Sequence, residues 1–138
     1  MNAPETNLKD LGLTLPEAAA PVANYVPYVI TGNTVYVSGQ ISSNTDGFIT
    51  GKLGDGFSIE DAQAAARVCA LNLIAQAKAA CDGDLDRITS VVKLLGFVNA
   101  TPDFDQHPKV KLPQLLALPE TEKLMSEYRV SKNMLSTA

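Results

Sequence analysis

The side chains able to do chemistry are few and far apart. Cys69 and Cys81 are the only thiols, and His107 is the only imidazole. On one helix the two cysteines would lie ~18 Å apart at 1.5 Å per residue. A disulfide needs Cα atoms within about 7 Å, so on one helix they are expected as buried, unbridged thiols. One His, with no HxxxH and no CxxC, gives no recognisable metal-ligand set, and neither metal nor cofactor is expected. The glycine-rich stretch Gly47 to Lys52 invites comparison with a phosphate-binding loop. Gly47 and Gly51 have the wrong spacing for GxxxxGK[ST], and Leu53 follows Lys52 where Ser or Thr is needed. What remains is Ser38-Gly39-Gln40, where a small residue and a glycine at a strand end let a ligand or a second backbone come close.

The element that must position Ser38 is a hairpin. Tyr25 to Ile30 and Thr34 to Gly39 are rich in Val, Ile, Tyr and Thr, and they flank a Thr31-Gly32-Asn33 turn. Ahead of it, Asn7 to Leu15 is expected as a short helix. Residues 41–57 read as a loop with a small strand at Phe48 to Ile49. Residues 58–81 carry the clearest helical pattern. Ser58 is placed to cap it, Glu60 and Asp61 stand in the first turn, and Ala62, Ala65, Ala66, Cys69, Leu73, Ala77 and Ala80 form a stripe that Leu71 and Ile74 widen. Gly83 is the expected C′ residue. Residues 87–99 are apolar on both faces and are expected as a third strand, either interior or buried in an oligomer. Asn99 to Pro108 reads as a loop, and a second helix is expected within 113–128, most securely over Glu120 to Tyr128 because of Pro119. The whole is an α+β plan, a mainly antiparallel sheet with two helices on one face and too little chain after the second helix for a fourth strand.

With 138 residues, 46% hydrophobic and 19% charged, one domain over 1–138 is expected. The net charge of −4 and the lack of a Lys/Arg cluster argue against a nucleic-acid partner. No apolar run approaches the ~18 residues of a membrane span. The first twenty residues lack a basic stretch followed by an apolar one, so a cytoplasmic location is expected.

Several stretches together resemble the Rid family of reactive-intermediate deaminases, also called YjgF-like or L-PSP endoribonuclease-like proteins. They are PVANYVPYVITGNTVYVSGQIS, the helix with AARVCALN, and the segment ending in GFVN, within about residues 15–110. The branch with the longer N-terminus is most similar. The resemblance implies a chorismate-mutase-like fold, a homotrimer with ligand clefts between subunits, and hydrolysis of enamines and imines such as 2-aminoacrylate to keto acid and ammonia. It implies a small carboxylate or imine ligand, Tyr25 and Ser38 lining the pocket, and Phe97, Val98 and Asn99 supplying wall and backbone groups.

From pattern alone, Tyr25 serves equally as a cross-sheet packing residue, Ser38 as a small strand-end residue and Asn99 as a turn former. Residues 111–138 depart from the family, and a truncated or frame-changed C-terminal part is expected there. The family's late-strand Arg, which binds the carboxylate, has one candidate, Arg129, which also reads as a solvated helix-end cation. No residue stands for the family's final Glu. The alternative to an enzyme is a non-catalytic small-molecule-binding or interaction protein on the same scaffold.

Overall fold

The computed structural model describes residues 4–21 and 23–111. Its axis is α2, Ile59–Ala80. Ser58 starts it in extended conformation. The Asp61 N–H donates to Ser58 Oγ at 3.0 Å, and the Ser58 hydroxyl donates to Asp61 Oδ2 at 2.7 Å. This reciprocal pair satisfies a donor that the first turn would leave open.

The helix ends in a Schellman motif. Asp82 N–H bonds to the Ala79 carbonyl at 3.2 Å and Gly83 N–H to the Lys78 carbonyl at 2.9 Å. With Cys81 as C-cap, the C′ residue is Asp82, at φ +57°, and not Gly83 as the sequence suggests. A short polar side chain tolerates this left-handed position, and the Asp82 carboxylate also meets Arg87 at 2.9 Å. Asp82→Ala is expected to lower unfolding free energy by about 1 kcal/mol, because a Cβ without a local polar partner is penalised there. Urea denaturation checks this; a midpoint that stays put or rises contradicts it.

Two cores sit along α2. Toward its C-terminal end Ile74 packs with Leu8 and Leu85, flanked by Leu13, Leu15, Ala77 and Ile88. Toward its N-terminal end Ala62 packs with Leu53 and Val110, flanked by Phe57, Ile59, Ala66, Val98, Ala100 and Phe104. The buried row is therefore Ala62, Ala70, Ile74 and Ala75, while Cys69 and Leu73 of the expected stripe are half-buried. Small residues along this row let flanking segments approach the helix axis closely.

The N-terminal helix α1 is Pro4–Asp10, earlier than the Asn7 to Leu15 expectation. Gly12, at φ +66°, closes it, with Leu13 N–H bonded to the Leu8 carbonyl at 2.9 Å. Leu13 and Leu15 then reach the core from irregular chain. Asp86 Oδ1 accepts the Glu5 N–H at 3.1 Å, and Glu5 pairs with Lys78 at 2.9 Å, so α1 is fastened to both the end of α2 and the 3-10 turn Leu85–Arg87.

The hairpin pairs β1, Tyr28–Thr31, with β2, Thr34–Val37, antiparallel, with Tyr28 opposite Val37 and Thr31 opposite Thr34. Gly32 takes φ +57° and Asn33 does not take a positive φ, which is the pattern of a two-residue II′ turn. Cross-strand partners share a face. Tyr28, Val35 and Val37, half-buried, share one face with the exposed Ile30; Val29 and Tyr36, on the other, are exposed. A second small hairpin follows, β3 (Ser43–Asn44) against β4 (Gly47–Phe48). A short helix α3, His107–Lys111, begins inside the expected Asn99 to Pro108 loop, at His107, and closes the described chain.

The fold class is mixed α+β with antiparallel strands, but the third strand expected over residues 87–99 is corrected. After the 3-10 turn, residues 88–99 belong to no strand; pairing with the 51–53 segment begins at Asn99, whose carbonyl accepts the Leu53 N–H, and Ala100 is bridged to Leu53. A strand exists only through the neighbour that receives its N–H and C=O groups, and the β1–β2 ladder is a closed pair among the described residues. Val92, Leu95 and Phe97 are exposed as a result. The helix expected within 113–128, and the C-terminal stretch where truncation and divergence are expected, lie outside the described residues.

Candidate functional site

The hairpin ladder cannot continue past Tyr28 in the ordinary way, because Pro27 has no N–H to give. Ser38 solves this with its side chain. Its N–H donates to the Pro27 carbonyl at 2.9 Å, and its hydroxyl donates to the Val26 carbonyl at 2.6 Å. The open end of the hairpin is thereby closed, and Tyr25, next along, is held at that end with 46% of its surface exposed. Having spent its proton on Val26, the Ser38 oxygen still has a lone pair to offer. Gln40 folds back and donates to the Ser38 carbonyl at 3.2 Å. Tyr25 and Ser38 are thus brought to one end of one element.

Phe97, Val98 and Asn99 form a second group. Asn99 Nδ2 donates to the Gly51 carbonyl at 2.8 Å, Leu53 N–H to the Asn99 carbonyl at 3.0 Å, and Thr101 N–H to the Leu53 carbonyl at 2.8 Å. These bonds splice residues 99–101 to 51–53. Val98 turns inward against the Leu53 core, while Phe97 is 55% exposed. Each group is bonded within itself, and among the described residues no hydrogen bond joins one to the other. Arg129 lies outside the described residues.

Two polar side chains that the sequence reading passed over bond to the chain on either side of the first group. Asn72 Nδ2 donates to the Ile41 carbonyl at 3.2 Å and the Ser43 carbonyl at 3.0 Å. Gln76 Nε2, on a buried side chain, donates to the Ala19 carbonyl at 2.7 Å. Amides four residues apart on an otherwise Ala- and Leu-rich helix were the available signal, since such a pair shares a face.

Charge perturbation is slight. The Thr101 hydroxyl and then its own backbone N–H hold the exposed Asp103 carboxyl below the usual range. Burial pushes the Cys69 thiol up, partly countered by its own backbone hydrogen bond. A thiol raised in the folded chain contributes stability that is whole below the unfolded pKa and is lost as pH rises through the folded one. At pH 8 Cys69 is therefore expected to alkylate with iodoacetamide more slowly in the native chain than in urea; labelling at the denatured rate contradicts this. Both cysteines are unbridged. Among the described residues no three His, Cys, Asp or Glu side chains converge to hold a metal ion, and no helix is long and apolar enough to cross a membrane.

Comparison with known proteins adds to this geometry. The family described as "YjgF/chorismate mutase-like, putative endoribonuclease" matches residues 5–118. Protein TCP17 of Trypanosoma cruzi is 50% identical over 105 residues, 75% of this chain. The chain spans 65% of that relative's length. The crystal structure of "a putative endoribonuclease" from Shewanella oneidensis MR-1 is similar with a TM-score of 0.72 and 40% identity, covering 79% of this chain and 72% of the other. A second crystal structure, of the protein Atu1372 with unknown function from Agrobacterium tumefaciens, is similar with a TM-score of 0.67 and 43% identity, covering 78% and 65%.

Proposed function

The chain belongs to the YjgF/chorismate mutase-like family, and from that premise we propose that it hydrolyses reactive enamines and imines of the 2-aminoacrylate type. Protonation of the enamine carbon gives the imine. Water adds to the polarised C=N carbon, and the carbinolamine expels ammonia and leaves the keto acid. Such a site needs a cation for the substrate carboxylate and a group that orients water or passes protons. The observation that carries the reading is the Ser38 to Val26 hydrogen bond, which holds an accepting hydroxyl oxygen at the exposed hairpin end next to the residue that follows Tyr25. In this reading Ser38 accepts from the attacking water or the substrate nitrogen, and Tyr25 donates. Phe97 and the backbone at Asn99 supply wall, and Arg129 is the candidate for the carboxylate.

The site is completed by neighbours in a homotrimer. The apolar Val29 and Tyr36 face and the exposed Val92, Leu95 and Phe97 are the surfaces that self-association would cover.

The test generates 2-aminoacrylate in situ and follows ammonia and pyruvate. Acceleration over buffer, lost on Tyr25→Phe and Ser38→Ala, supports the proposal. Binding of small carboxylates with no acceleration selects the non-catalytic binding protein instead. RNA cleavage, which the descriptions of relatives carry, is opposed by a net charge of −4 and a single His.

A further inference from the structure

We propose that Asn72 and Gln76 are positioning residues for the Tyr25 and Ser38 end of the hairpin, an inference that rests on the reaction assigned to that end. One helical turn apart, they share a face of α2. Gln76 holds Ala19, on the chain that leads into Tyr25. Asn72 holds Ile41 and Ser43, on the chain that leaves Ser38 through Gln40. The second hold extends further, because Ser42 and Ile49 bond reciprocally, Oγ to carbonyl at 2.7 Å and N–H to carbonyl at 2.8 Å, so residues 41–49 move as one hairpin.

The need for such a clamp follows from the burial pattern. Residues 16–20, 23–26 and 41 are exposed, so packing does not place them. At Ala19 and Ile41 hydrogen bonds from the helix do. Pinning both the entry and the exit leaves the Ser38 to Val26 bond as the closure between two fixed ends. Gln63 offers an internal comparison. It makes the same kind of bond, Nε2 to the Lys109 carbonyl at 2.7 Å, but to α3 and not to the hairpin.

The experiment compares Asn72→Ala and Gln76→Met with Gln63→Ala in the full-length chain, by hydrogen exchange and by steady-state imine hydrolysis. The clamp predicts exchange about tenfold faster at the hydrogen-bonded Tyr25, Ser38 and Ser43 amides in the first two variants and not in Gln63→Ala. It also predicts that kcat falls by roughly 10- to 100-fold with KM little changed, while Gln63→Ala stays within about twofold even where its melting temperature drops as far. Unchanged exchange at these residues overturns the inference. So does a kcat that tracks melting temperature alike in all three variants. A wild-type chain that leaves the imine untouched while the exchange pattern appears removes the reaction assigned to this end, not the clamp.

Discussion

Leu53→Ala is expected to destabilise the fold by about 3–4 kcal/mol, within the range for removing a buried leucine side chain. Leu53 is 1% exposed and stands at the centre of the core that joins Ala62 of α2 to Val110 of α3. It is also the residue through which two distant loops are spliced, since its N–H and carbonyl both bond to the 99–101 segment. Truncation removes the side chain but leaves both backbone bonds. The loss is therefore a cavity between Phe57, Ala62 and Val110, with little room to collapse because Ala62 is already small. Denaturant midpoints of the variant and wild type measure it directly. A loss below about 1 kcal/mol would mean that the site collapses freely and that the core around Leu53 is not a fixed platform for Phe97 and Asn99.

Arg129→Ala is expected to lower kcat/KM for 2-aminoacrylate by roughly 30- to 5,000-fold, the equivalent of about 2–5 kcal/mol for losing one desolvated charge-assisted contact. The reasoning is chemical. A substrate of this size has a carboxylate and a reacting C=N, and little else for a protein to hold. Without an anchor, Ser38 and Tyr25 face a molecule free to turn. Arg129→Lys tests the same point from the other side. It keeps the charge but not the planar fork and is expected to restore only part of the rate. Turnover that survives Arg129→Ala unchanged removes Arg129 as the anchor.

Much of the scaffold was legible in the chain because it rests on local signals. The β1–β2 hairpin follows from two β-rich runs about a Gly-Asn turn, and α2 from Ser58 and a periodic alanine stripe. The places where sequence and structure part are those where the deciding contact is distant. Residues 88–99 have the composition of a strand, yet strand character depends on a partner ladder, and composition cannot supply one. The Asn7 to Leu15 expectation for α1 overruns because Gly12 ends the helix before Leu13 and Leu15, which pack from irregular chain. Asp82 took the C′ position from its neighbour Gly83 because the hydrogen-bond register of α2, and not residue preference alone, decides where the last turn stops. In the candidate site, Tyr25 and Ser38 were nameable from the hairpin pattern and the family resemblance. Asn72 and Gln76 were not, because their importance lies in which carbonyls they reach.

The central claim is a small-molecule site completed by neighbouring copies, so its most direct test is native mass by light scattering on a size-exclusion column, read across dilution. The proposed trimer, which would cover the hairpin face and the exposed Val92, Leu95 and Phe97, predicts a sharp, concentration-stable species near three times 14.6 kDa. A monomer at the concentrations where imine hydrolysis is assayed would contradict the account, because the proposed site would then be half-built.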